Sequence, residues 1–378
     1  MVRVTTKALA KTTRQKTSFE RTSFFKGPLL RNPTVQVMLA VWLLFGLLSA
    51  TDRFSPGFYL EYPAMPITMI FGSLIAGATS EGGGAVAFPV MTLILGISPH
   101  VARDFSLMIQ AVGMLAAAYT IIRLRIKIVP QVIVWGSLGG LIGVCLGISW
   151  IGPRLDPAFL KLFFVSLWLS FGAALYWANC VISRPVQDKI GRLNSRKIVL
   201  FLTAGILGGC ISGMVGSGLD IVIFSILTLS CRIDEKIATP TSVVLMGVNA
   251  GFGFLWRLLG STQSWLGAVG AIALPPIAAD TWNYWYVCIA VVVVGAPMGA
   301  RLITNMRRMS VVYFLLASIA VQFISALFIV PWQALGLGWV IAVSFIGGCF
   351  LFGLLSLPSR RSVFSMSGKR ARREAAPK

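Results

Sequence analysis

Two apolar runs in this chain are too long for one membrane crossing and are broken midway by glycine. They lie at about 66–97 and 198–231, among shorter runs at 34–50, 102–122, 128–150, 157–182, 236–258, 284–303, 309–330 and 333–357. A helix crosses the hydrocarbon core in about 20 apolar residues. The reading is an all-α polytopic membrane protein. With 56% hydrophobic and 12% charged residues spread evenly along the chain, no stretch is left for a soluble domain. Non-helical backbone at membrane depth is tolerated only inside protein or beside water. Each broken run is therefore either one interrupted crossing or a re-entrant pair of half-helices.

Charge separates the two options. The net charge is +21, and the basic residues cluster in tails and short loops. That pattern is the positive-inside bias, so nucleic acid is not an expected partner. With the N-terminus cytosolic and both broken runs re-entrant, 28 of the 33 Lys and Arg fall in the cytosol. If both runs span, only 23 do. The bias favours re-entrance. Both tails are expected to be cytosolic, and the basic N-tail has no apolar stretch of the signal-peptide kind. A cell membrane is expected, with an organelle left open by that tail.

The chain also matches itself at a displacement of 136. Gly77 meets Gly213, Gly82 meets Gly218, Phe88 meets Phe224, Ile97 meets Ile233, Ala102 meets Ala238 and Ser106 meets Ser242. Later, "WGSLGGLIG" at 135–143 is similar to "VVVVGAPMGA" at 291–300. The organisation expected is a basic tail at 1–33, an extra helix and outer loop at 34–63, and repeat 1 at 64–182. A basic linker at 183–197, repeat 2 at 198–330, an extra helix at 331–357 and a basic tail at 358–378 follow. With re-entrant first segments each four-segment repeat crosses three times, and the second is inverted. Inverted repeats whose broken helices meet at the midplane build many secondary transporters.

These residues resemble a known family. "SLIAGATSEGGGAVAFPVMTLILGISPHVA" and "GGCISGMVGSGLDIVIFSILTLSCRIDEKIATPTS" are similar to the duplicated glycine-rich signature of TauE/SafE-type sulfite exporters. The resemblance covers most of 64–330. It implies export of a small sulfur-containing anion such as sulfite or a sulfonate. The first copy departs from the pattern at Ser80, Glu81 and Phe105, and the second at Leu219 and Asp220.

The residues suit such work. Glycine lets a ligand approach the backbone closely. The N–H groups and dipole of a half-helix N-terminus favour an anion. Half-helices starting near Gly84 and Gly218 would aim such donors into the membrane. Gly82, Gly83, Gly84, Ser106, Gly216, Ser217, Gly218, Thr241, Ser242 and Asn249 are the candidate substrate-binding residues. Thr241 and Ser242 either offer hydroxyls or cap the helix they open. Asn249 follows Ser242 by two helical turns on the same face. Glu81 and Asp220 are the candidate proton-coupling acids, because membrane acids usually face a cavity and work. Capping a half-helix is the alternative role. Arg103 and Asp104 are expected to form a simple interfacial pair. Arg257 is expected to snorkel, and Trp282, Tyr284, Trp285 and Tyr286 to form an aromatic belt.

Other chemistries fit less well. The scattered Cys145, Cys180, Cys210, Cys231, Cys288 and Cys349 and the lone His100 suggest no disulfide framework, metal site or cofactor. An intramembrane protease lacks a histidine beside "VGSGLD", and Leu219 interrupts the aspartyl motif, so no enzyme is expected. A channel of the same fold is the alternative, with the glycine loops as its filter. The partners expected are a small anion and the bilayer, with a homodimer left open.

Overall fold

The computed structural model describes residues 32–50, 57–79, 82–181, 186–191, 193–261 and 274–356. The apolar segments form helices α1 (Pro33–Ser49), α2 (Ala64–Ala78), α3 (Gly82–Pro89), α4 (Pro99–Arg123), α5 (Pro130–Leu146) and α6 (Pro157–Tyr176). They continue as α7 (Ser195–Val215), α8 (Leu219–Ser225), α9 (Glu235–Leu259), α10 (Ala279–Asn305), α11 (Arg308–Ile329) and α12 (Gly338–Ser356). Seven described helices are long and apolar enough to cross a membrane. The chain is an all-α, multi-pass membrane protein. The tails, apart from residues 32 and 33, lie outside the described residues, as do Ser80 and Glu81.

Local chemistry sets the helix starts. Proline opens α4, α5 and α6, where its missing N–H costs nothing. Asp156 accepts from the N–H groups of Ala158 (2.7 Å) and Phe159 (3.2 Å). Asp234 accepts from Lys236 (2.8 Å) and so caps α9.

Both broken runs fold back on themselves. A Cβ at Gly72 of α2 would lie 3.4 Å from Val86 Cγ1 of α3. In one straight helix those positions would be about 21 Å apart. The contact recurs 136 residues later, where a Cβ at Gly208 would lie 3.3 Å from Val222 Cβ. Each return arm then widens into one π turn, Val90–Ile94 and Ile226–Ser230. Phe88 and Phe224, matched in the sequence, are both fully buried. They meet Phe164 and Phe171 of α6 at 6.3 and 5.9 Å.

The outgoing arm of each hairpin packs on the third segment of the other half, the second helix after its hairpin. Gly139, Gly143 and Gly147, with the π turn that extends α5, face Gly205, Gly209 and Gly213 of α7. A Cβ at Gly209 would lie 3.0 Å from Gly143 Cα, and one at Gly213 would lie 2.7 Å from Val144 O. In the other half α2 packs on α10, where a Cβ at Gly299 would lie 2.8 Å from Ala78 N. Small residues at every fourth position let helix backbones touch, which drives association where no hydrophobic effect operates. Equivalent contacts align Gly143 and Gly147 with Gly295 and Gly299, which sets a register that the sequence similarity alone left loose.

The extra helices sit unequally. Trp42 of α1 donates to Ala290 O of α10 (3.1 Å), whereas α12 lies along α6, with Gly348 against Ser170. An apolar groove of about 330 Å³ between hairpin 1 and α11 is lined by Ile75, Val86 and Val90. Its counterpart on hairpin 2, lined by Ile211, Val222 and Ile226, is about 600 Å³ and has α12 as its far wall.

Gly209→Val should push α5 and α7 apart and lower stability by roughly 3 kcal/mol, near the upper end for overpacking. Thermal unfolding in detergent measures it. Gly46→Val, where a new Cβ meets nothing within 4 Å, should leave the melting temperature unchanged.

Candidate functional site

The tips of the two hairpins meet inside the bundle. In the first, Thr79 is extended and Gly82 resumes helix at φ +73°. In the second, Gly216 (φ +88°) ends α7 and Gly218 (φ +152°) precedes α8. Left-handed backbone is close to free only for glycine. A Cβ at Gly82 would lie 2.6 Å from Gln110 Oε1, 2.7 Å from Asp220 Oδ2 and 3.1 Å from Ser217 Oγ. Gly82 therefore answers two demands, a positive φ and the close approach of three oxygens. Gly83 is buried against Ala76 and Gln110, and Gly84 lies in α3.

Asp220 is 1% exposed. Its Oδ1 accepts from the N–H groups of Gly218 and Ile221, both at 3.1 Å. The N–H of Leu219 donates to Ser212 Oγ (2.9 Å). The expectation of free donors near Gly218 thus needs correction. Three N–H groups at this tip are already engaged, two of them by a carboxylate of the same segment. Asp220 acts as a capping acid through Oδ1. Its Oδ2 faces Gly82 and stands 3.5 Å from Ser217 Oγ.

Gln110 was not among the residues singled out from the sequence, yet it ties the tips together. Its Nε2 donates to Gly216 O (2.7 Å) and Ser106 O (3.0 Å). Using both hydrogens fixes the amide orientation and turns Oε1 toward Gly82, where it is buried without a partner among the described residues. The available signal was an amide inside an apolar helix, one turn after Ser106. Ser106 packs against Gly216, 3.2 Å from the Cβ that position lacks, and its hydroxyl is also unpartnered.

Other candidates are placed differently. Thr241 and Ser242 do not open their helix, which starts six residues before Thr241 at Glu235. The Thr241 hydroxyl donates to Ile237 O (2.7 Å) and accepts from Val129 N–H (3.1 Å). Ser242 donates to Thr239 O (2.8 Å). The 136 displacement turns the contact of Ser106 with Gly216 into one of Ser242 with position 80, which lies outside the described residues, as does Glu81. Asn249 is fully buried with both amide atoms unpartnered. Its Oδ1 lies 2.9 Å from the Cβ that Gly140 lacks, and Leu219 packs at the same point, so Asn249 flanks the second tip.

Ion clusters stand near the two ends of α9. Arg257 does not snorkel. It turns inward and donates to Asp104 through Nε (3.0 Å) and Nη2 (2.6 Å). Burial beside a carboxylate and a main-chain acceptor outweighs exposure at the helix end. Arg103 also donates to Asp104, so the expected simple pair is a three-residue cluster. At the opposite end Arg308 joins Glu235 and Asn179. Trp285 likewise reaches inward from the aromatic group and donates to Met108 O (3.0 Å). Beside the tips, Ser73, Gly83 and Gln110 border a void of about 10 Å³, enough for a single water at most. A polyatomic anion cannot lie there until the tips move.

No curated protein and no solved structure matches the chain. A family model does. Its match begins one residue into α2 and ends within α11, taking in both hairpins and leaving out α1 and α12. On that match, over residues 65–325, the chain belongs to the sulfite exporter TauE/SafE family.

Proposed function

We propose that this protein is a secondary transporter exporting a small sulfur-containing anion, sulfite or a sulfonate, past the point where the two hairpin tips meet. The observation that carries the reading is the contact of Gly82 with Ser217, Gln110 and Asp220, which joins the two halves of the duplicated motif. Members of the family are transporters, which fits a chain that is not an enzyme. Recurrence of the Gly72–Val86 contact as Gly208–Val222 supports two repeats. Their inversion follows if each hairpin re-enters. The substrate-binding set is Gly82, Gly83, Gly84, Ser106, Gly216, Ser217, Gly218 and Asn249, with Gln110 added. Thr241 and Ser242 enter it only by repeat symmetry.

Two glycine-tipped hairpins that meet favour a carrier over a channel, and the void bordered by Ser73, Gly83 and Gln110 holds no more than a water. Loops bearing Lys127, Asp188, Glu235 and Arg308 gather at one end of the bundle. The positive-inside bias assigns that end to the cytosol and the Arg257 end to the outside, in a cell membrane.

Protons are the proposed coupling ion. Two acceptors, Gln110 Oε1 and Asp220 Oδ2, meet at Gly82. A proton on Asp220 turns one of them into a donor and removes the conflict. Glu81, one residue before Gly82, is the second proposed carrier.

Proteoliposomes loaded with labelled sulfite or a small sulfonate test this, with and without a pH gradient. Wild-type flux should follow the gradient. Asp220→Asn or Glu81→Gln should transport without responding to it. Flux that keeps its full pH response in both variants would refute proton coupling at these acids. Gly82→Ala should cut flux at least tenfold. It incurs the strain of a left-handed residue, about 1–2 kcal/mol, and also displaces three oxygens. Gly96→Ala has positive φ without crowding and should keep most of the flux.

A further inference from the structure

The cluster at the Arg257 end carries an excess charge. Arg103, Asp104 and Arg257 are 5%, 4% and 3% exposed. One carboxylate serves two guanidinium groups. Arg257 uses its whole fork, with Nε and Nη2 on Asp104 and Nη1 on Pro275 O (2.9 Å). Arg103 uses only Nε (2.9 Å) and Nη2 (2.8 Å), both on Asp104 Oδ1. Its Nη1 has no protein acceptor among the described residues. It stands 3.7 Å from where a Cβ on Gly152 would lie, so the missing side chain leaves that edge uncovered. A buried cation without a counter-charge is unfavourable, and an anion relieves it.

The main chain of Arg103 touches the hairpin crossing, and its free edge points toward Gly152, whose missing Cβ would lie 3.7 Å from both Nη1 and Met214 Cα. Arg103 O lies 3.1 Å from the Cβ that Gly216 lacks. Arg103, Ser106 and Gln110 follow one another at i, i+3 and i+7 along α4, so they share one face. The Ser106 hydroxyl between them is unpartnered. A line of polar groups therefore leads from the crossing to the guanidinium.

We propose that Arg103 binds the transported oxyanion through its Nη1 edge, at a station between the crossing and the end of the bundle. Asp104 and Arg257 are positioning residues that hold the guanidinium. Guanidinium suits the role because its planar fork can serve a carboxylate with one edge and an oxyanion with another. This inference rests on the reading that the chain carries a small oxyanion.

The test is sulfite flux in proteoliposomes against sulfite concentration, for the wild type and for Arg103→Gln, Arg103→Lys and Gly152→Ala. Each variant is first checked for monodispersity and melting temperature. Arg103→Gln should raise the half-saturating sulfite at least tenfold while keeping the response to the pH gradient. Arg103→Lys keeps the charge but not the second edge, so its half-saturation should fall between the wild type and Arg103→Gln, whereas a purely structural role of the fork would leave Lys no better than Gln. Gly152→Ala keeps every charge and sets a methyl 3.7 Å from the free edge; its Cβ also meets Gly147 O at 2.9 Å, so it counts only with a wild-type melting temperature, and there it should also raise half-saturation. A folded Arg103→Gln with wild-type half-saturation overturns the proposal and leaves the exporter reading intact. If Arg103→Gln does not fold, Gly152→Ala decides alone, and unchanged half-saturation there overturns it. Absence of wild-type flux with sulfite or any small sulfonate overturns both readings.

Discussion

Direct contact between helix backbones is the interaction on which this bundle depends. In lipid the hydrophobic effect does not pull helices together, so packing must. Along Gly139, Gly143 and Gly147 against Gly205, Gly209 and Gly213 there is no side chain to keep the axes apart. The same holds where α2 meets α10. These two seams bind each hairpin to the opposite half of the molecule. They bring the tips to one depth, and the crossing at Gly82 follows from them.

Chemistry at the crossing is less symmetric than its packing. Gly82 and Gly218 correspond, and both have positive φ. Yet Asp220 lies in the second tip, where its carboxylate occupies the start of its own half-helix. An anion arriving there must compete with a side chain for the same N–H groups. Among the described residues, the oxygens crowding Gly82 come from other segments, Gln110 from α4 and Ser217 and Asp220 from the second tip.

Much of the fold was legible because membrane helices obey a simple rule of length and hydrophobicity. The segments, the two breaks, and the pairs Phe88 with Phe224 and Gly82 with Gly218 could be read directly. What escaped was whatever depends on distant partners. Arg257 looked like a helix-end cation because Asp104, its partner, lies 153 positions away. Gln110 was passed over because nothing local marks an amide as the tie between two loops. Thr241 and Ser242 read as opening a helix. In fact Asp234 had already capped it, and Pro240 is carried inside α9. Such prolines are tolerated where neighbouring helices re-satisfy the freed backbone groups.

The unequal flanks of the two hairpins have a mechanical consequence. Hairpin 2 is backed by α12 across its groove, so any outward swing of that arm must carry a whole helix with it. Across the groove of hairpin 1 the described residues place α11 alone, and in a bilayer its open side would meet acyl chains. A swing of hairpin 1 would then work against a fluid, and one of hairpin 2 against a helix. The viscosity and thickness of the surrounding lipid bear directly on one half of the molecule and only through protein on the other.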